Sequence, residues 1–182
     1  MRSNRFAAKP KERGFSLVEL VIVIVIIGII AAIAIPRVSR GSRGAGESAL
    51  TSNLSILRNA VELYASEHEG AYPGSTADGT GNAADTAGAF VNQMLKYSGA
   101  TGEVADTRDA AHPFGPYLRK QMPPLPLGAK KGNSDVAIDI INSPPVVVAT
   151  AGVGWVYNPH TGDIIVNTDE NNEAGDATYD SY

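Results

Sequence analysis

The chain has 182 residues, 43% of them hydrophobic, and a formal net charge of −4. That length holds one membrane or interaction segment and one modest domain. It contains no cysteine, which excludes disulfides, thiolate metal sites and a cysteine nucleophile. The basic residues flank an apolar run and form no wide patch interleaved with aromatics, so nucleic acid is not expected as a partner.

The charge is unevenly placed. Residues 1–14 hold Arg2, Arg5, Lys9, Lys11 and Arg13 against Glu12, a balance of +4 that would leave −8 on the rest of the chain if removed. Residues 15–35 follow as an almost wholly apolar run, about 31 Å long as a helix, which matches a bilayer core. The run is rich in β-branched residues, yet in lipid a helix is the one single segment that satisfies its own backbone. Arg37, Arg40 and Arg43 lie beyond it, and the positive-inside rule places the N-terminus in the cytoplasm.

One carboxylate, Glu19, interrupts the run. An acid at membrane depth costs on the order of 3 kcal/mol or more and is normally kept for a purpose. A plain anchor leaves it unexplained. A secretory signal peptide cut after Ala34 fits the small residues Ala32-Ile33-Ala34, and the acid argues against it. Cleavage between Gly14 and Phe15, with the helix retained, creates an α-amino group at Phe15. An axially shifted neighbour could bring that amine to Glu19, neutralising both charges and fixing register.

The string Arg13-Gly14-Phe15-Ser16-Leu17-Val18-Glu19-Leu20, followed by the apolar run with Gly28 and Pro36, resembles the class III signal of type IV pilins and type II secretion pseudopilins. The resemblance implies a prepilin peptidase that cuts after Gly14 and methylates the Phe15 amine, with Glu19 as the assembly carboxylate. It implies polymerisation with copies of itself and homologous pseudopilins on an inner-membrane assembly platform. It also implies a single pass through the cytoplasmic membrane, the globular part outside, and filaments in the periplasm or at the cell surface.

Pro36 lacks an amide hydrogen and Gly41, Gly44 and Gly46 each cost about 1 kcal/mol in a helix. Residues 36–46 therefore read as a hinge or a linker, a weak helix at best. From Glu47, Leu50, Leu54, Leu57, Val61, Tyr64 and His68 recur at helical steps and predict an amphipathic helix, ended by Gly70 and Pro73. His68 reads as a helix-end cap or packed edge. Residues 75–88 read as a mobile loop. Residues 86–97 read as a short helix capped by Asp85 or Thr86, and 98–109 as another loop. The prolines at 123, 124 and 126 read as a stiff connection, in preference to a polyproline ligand.

Strands are predicted at 136–141, 146–150, 154–157 and 163–166, the last two joined as a hairpin through Asn158-Pro159-His160-Thr161-Gly162. Trp155 is expected in the core. The fold class is α+β and pilin-like: a long N-terminal helix, transmembrane then amphipathic, packed on a small antiparallel C-terminal sheet. Residues 47–167 form the globular domain and 168–182 an acidic tail. The tail reads either as a solvated segment or as oxygen ligands for a hard cation at Asp169, Glu170, Glu173 and Asp176. Major pseudopilins are similar in having a calcium-supported C-terminal loop, although the spacing here is not that of an EF-hand. His68, His112 and His160 lie in no metal-spacing motif, and no nucleophile or phosphate-loop motif is present. A structural subunit, not an enzyme, is expected. The competing class is an anchored or secreted binding domain that never polymerises.

Overall fold

The computed structural model describes residues 14–172, 174, 175 and 177–182, with backbone alone at 34–40. The chain divides into two compact units, the first ending at Gly41 and the second spanning Ser42–Tyr182. Residues 1–13 of the expected leader, and Glu173 and Asp176 of the expected cation set, lie outside the described residues.

Helix α1 is Leu17–Glu67. It runs without interruption through Pro36, Gly41, Gly44 and Gly46, which corrects the expectation of a weak or broken helix there. A proline removes one backbone bond and each glycine adds a modest penalty; neither forbids helix when the turns on both sides are formed. Gly46 also has a packing reason. A Cβ there would lie 3.3 Å from the Leu127 Cβ, so the missing side chain lets the 126–127 segment approach. The division between the two units nonetheless falls inside this glycine-bearing stretch, at Gly41/Ser42.

In the second unit α1 turns Leu50, Leu54, Leu57, Val61 and Tyr64 inward, all buried. The helix stops where Glu69 and Gly70 take left-handed backbone (φ 56° and 86°) and the Gly70 N–H returns to the Ala65 carbonyl at 2.9 Å, an end motif suited to glycine. His68 is buried just past that end. Its Nδ1 lies 2.8 Å from the Tyr64 carbonyl and its ring stacks on Tyr64 with centroids 3.7 Å apart.

Helix α2 is Ala87–Leu95, capped by Thr86, whose hydroxyl accepts the Ala89 N–H at 3.2 Å. Strands β1 (Tyr97–Ser98) and β2 (Val104–Ala105) form a two-stranded antiparallel pair that starts at the last residue of the expected helix, which ends at Leu95, and runs into the expected loop at 98–109. A second sheet has the order β3-β4-β5, from Asp135–Ile138, Val153–Tyr157 and Ile164–Val166. β4 and β5 form the expected antiparallel hairpin. β3 pairs with β4 in parallel, so the sheet is mixed, which corrects the all-antiparallel expectation. Parallel neighbours require the chain to return to its starting end. Residues 139–152 make that return, and the strand expected at 146–150 is consumed by it.

The core gathers Leu50, Leu54, Leu57 and Val61 of α1, Phe90 and Met94 of α2, and Trp155, Tyr157, Ile164 and Val166 of the sheet. The 117–126 connector closes one side with Leu118, Met122 and Leu125. Trp155 is fully buried, and its indole N–H donates to the Pro123 carbonyl at 2.8 Å. The proline-rich segment thus supplies a core wall and an acceptor.

The loop at 75–86 is not a loose excursion. Asp78 is fully buried and its carboxylate accepts the Thr80 and Asn82 N–H groups, the Thr80 hydroxyl, and the side-chain amides of Asn82 and Asn92. Burial would raise this acid's pKa; the donors from Asn82, Asn92 and Thr80 outweigh it and hold the carboxyl well below the ordinary range. The folded state therefore binds fewer protons here than the unfolded chain. Stability from Asp78 is fully present above about pH 5 and drains away as pH falls below about 4. We expect Asp78→Asn to lose about 2 kcal/mol at pH 7 and to show a flatter stability profile between pH 6 and pH 3. Denaturant unfolding across that range checks this; a profile parallel to the unmodified chain contradicts it.

The acidic tail is also docked. Tyr179 and Tyr182 belong to the core cluster or its rim, the Tyr179 hydroxyl donates to Glu47 Oε1 at 2.8 Å, and Arg58 donates to the Tyr182 O at 2.5 Å. These aromatic anchors correct the picture of a freely solvated segment.

Candidate functional site

The peptide bond between Gly14 and Phe15 stands in the open. Gly14 is exposed and a Cβ placed on it would meet nothing within 4 Å. Phe15 is 85% exposed. Two residues on, α1 begins, and its first turn explains how.

Ser16 and Glu19 form a reciprocal cap. The Ser16 N–H donates to Glu19 Oε2 at 2.8 Å, and the Val18 N–H donates to Ser16 Oγ at 3.3 Å. The Leu20 N–H reaches the Ser16 carbonyl at 3.2 Å. This is the Ser-x-x-Glu capping pattern, which satisfies helix N–H groups that no carbonyl reaches, and an acid in the first turn also favours the helix dipole. The spacing is plain in the sequence. It gives Glu19 a partner within its own first turn, because its side chain folds back over the residue that follows Phe15.

Behind the cap, the apolar side chains from Leu17 to Ile33 stay in the open on every side of the helix, each large one between 43% and 78% exposed. A helix that is apolar all round belongs in a core, a bundle or a bilayer. Among the described residues no helix is long and apolar enough to cross a membrane; the side chains described in this stretch stop at Ile33.

The remaining candidates are not gathered into one place. Pro36 lies in the backbone-only part of α1, and Gly41 faces open space. Glu170 is engaged, its Oε1 accepting the Ala129 N–H at 2.6 Å. Among the described residues no group of three or more histidine or acidic side chains converges as metal ligands would. His112 and His160 pair separately with Asp109 at 2.8 Å and Asp85 at 3.2 Å.

A long N-terminal helix joined to small antiparallel and mixed sheets is an α+β arrangement consistent with a pilin-like fold. Residues 9–35 match the family model of the prokaryotic N-terminal methylation motif, the prepilin-type signal of type IV pilins and pseudopilins. No curated protein and no solved structure matches the chain.

Proposed function

We propose that the chain is a structural, non-catalytic subunit of a pilus-like filament, of the type II secretion pseudopilin kind. It sits in the cytoplasmic membrane, where a prepilin peptidase cuts after Gly14 and methylates the Phe15 amine, and it polymerises after that cleavage. The observation that carries this reading is the methylation motif at residues 9–35, which takes in the first turns of a helix whose apolar surface there is bare all round. Bilayer before assembly, and the helices of neighbouring copies afterwards, supply the cover that surface lacks.

In the filament the Glu19 carboxylate serves two partners. Oε2 takes the Ser16 N–H of its own chain, and the carboxylate has further acceptor capacity for the Phe15 ammonium of a neighbour. Only a processed neighbour has that ammonium, so uncut chains are excluded. Production together with a prepilin peptidase is expected to shorten the chain by its first fourteen residues and add one methyl group, read by intact mass. A chain that keeps its leader, or loses residues through Ala34, contradicts the proposal.

One observation favours the rival class, a membrane-anchored domain that never polymerises. The Ser16–Glu19 cap gives Glu19 a use inside its own helix, so a simple anchor no longer leaves the acid idle. Removing the charge while preserving the cap separates the two.

A further inference from the structure

Among the described residues of the unit Ser42–Tyr182, two apolar patches stay uncovered on opposite flanks of α1. Ile56 and Leu63 are each 51% exposed. They are seven positions apart, so they stack within about 20° of one another. Ile56 and Arg58 stand about 100° to either side of the core residue Leu57. On the Ile56 flank runs the 117–124 connector, tied down by the Tyr117 hydroxyl donating to Glu67 Oε2 at 2.6 Å and by Asn53 Nδ2 donating to the Pro124 carbonyl at 3.4 Å. Leu118 and Met122 turn into the core and Arg119 and Lys120 between them are exposed, on a segment that its two ties to α1 hold along the stripe's flank.

The other patch is the loop at 139–146, where Ile140, Ile141 and Val146 are 51%, 87% and 50% exposed. Ser143 Oγ donates to Asp163 Oδ2 at 2.9 Å, and Pro144 shares a cavity wall with Arg58 and Glu62. These contacts fix the loop on the Arg58 flank. The loop is built stiff. Asp139 Oδ1 accepts the Ile141 and Asn142 N–H groups, and its Oδ2 accepts the Val146 N–H at 3.1 Å. The Asn142 amide also donates to this carboxylate and, with the N–H groups, holds the Asp139 carboxyl down to about 2. An apolar tip already locked by its own backbone loses little freedom on binding.

Isolated exposed apolar residues are ordinary on any surface. These two sets differ in being carried by rigid elements and bordered by opposite charges: Arg119 and Lys120 beside the stripe, Glu62 and Asp163 beside the loop. Glu67 on the stripe flank is taken by Tyr117, and Arg58 on the loop flank is turned to the Ile164 and Tyr182 oxygens. A patch whose complement lies elsewhere on the same molecule makes a head-to-tail contact, which repeats from copy to copy as a ring or an open filament.

We propose that the 139–146 loop of one copy seats on the Ile56–Leu63 stripe of the next copy, with Glu62 and Asp163 of the first facing Arg119 and Lys120 of the second. This contact rests on the filament reading above and names the outer surface through which copies meet. The chain has no cysteine, so Ile141→Cys and Leu63→Cys introduced together are its only thiols. Filaments sheared from cells that make this double variant are expected to give, on mild oxidation, a ladder of cross-linked multimers. Each single variant should give nothing larger than a dimer. Normal filaments whose chains stay monomeric overturn the contact and leave the filament reading standing; if the unmodified chain forms no filaments, both fall. Should the cysteine pair fail to assemble, charge reversal decides. Glu62→Lys is expected to lower the assembled fraction about fivefold, the scale of one exposed ion pair, and added Lys120→Glu should restore it. No recovery overturns the contact.

Discussion

A Glu19→Gln chain is expected to fold, insert and be cut normally, and to leave filaments at least a hundredfold scarcer. Glutamine replaces glutamate in the Ser-x-x-Glu cap, so the Ser16 N–H bonded to Glu19 Oε2 keeps an acceptor. What disappears is the negative charge that a neighbour's Phe15 ammonium needs in apolar surroundings. Breaking a buried ion pair by removing one partner costs about 3–5 kcal/mol, because the other charge is stranded. Glu19→Ala removes the cap as well and costs the helix start about 1 kcal/mol more. Comparing yields of sheared filaments and membrane content for the two variants separates cap from charge. If Glu19→Gln assembles like the unmodified chain while Glu19→Ala does not, the residue is a helix cap and the pairing role is wrong.

Trp155→Ala is expected to be the most damaging single change in the second unit. The indole is fully buried within the cluster built from α1, α2 and the sheet. Truncating such a side chain costs about 3–5 kcal/mol through lost burial and the cavity left behind. The Pro123 carbonyl also loses its donor, now at 2.8 Å, for about 1 kcal/mol more. That sum approaches the whole stability of a small domain. Circular dichroism of the full chain in detergent is expected to lose its cooperative thermal transition from the second unit, while the α1 signal of residues 17–33 persists. A melting temperature within a few degrees of the unmodified chain contradicts this assignment of the core. Trp155→Phe, which keeps much of the volume, should cost far less.

The parts of the fold that were legible are those with a local period. Leu50, Leu54, Leu57, Val61 and Tyr64 announced the buried face of α1 because helical spacing needs no knowledge of the rest of the chain. The β4–β5 hairpin was legible for the same reason, since Asn158 to Gly162 carries turn chemistry between two β-branched runs. A cap at Asp85 or Thr86 followed from their position before an apolar stretch, and the structure places it at Thr86.

What the sequence hid depended on distant partners. Alternation in β3 marks a strand and says nothing of its neighbour's direction, so the parallel pairing with β4 was out of reach. Asp78 looked like loop polarity because its burial depends on Asn92, fourteen residues further along. The tail looked solvated because its anchors, Tyr179 and Tyr182, reach back to Glu47 and Arg58. Helix through Pro36 and the glycines was misjudged by counting local penalties without the turns on either side. At the N-terminal site Gly14, Phe15 and Glu19 fall within the methylation motif matched at residues 9–35, so the motif was legible; the roles of the three residues in processing and assembly are part of the proposal. The Ser16 cap was readable from spacing alone, and it gives Glu19 a near partner in its own helix beside the neighbour's amine that the proposal assigns to it.

The most direct measurement is the N-terminal mass spectrum of chains recovered from purified filaments. A single species that starts at Phe15 with one methyl group on its amine is the predicted result. Filament chains that begin at Met1, at Ile35, or at an unmethylated residue other than Phe15 would contradict the account.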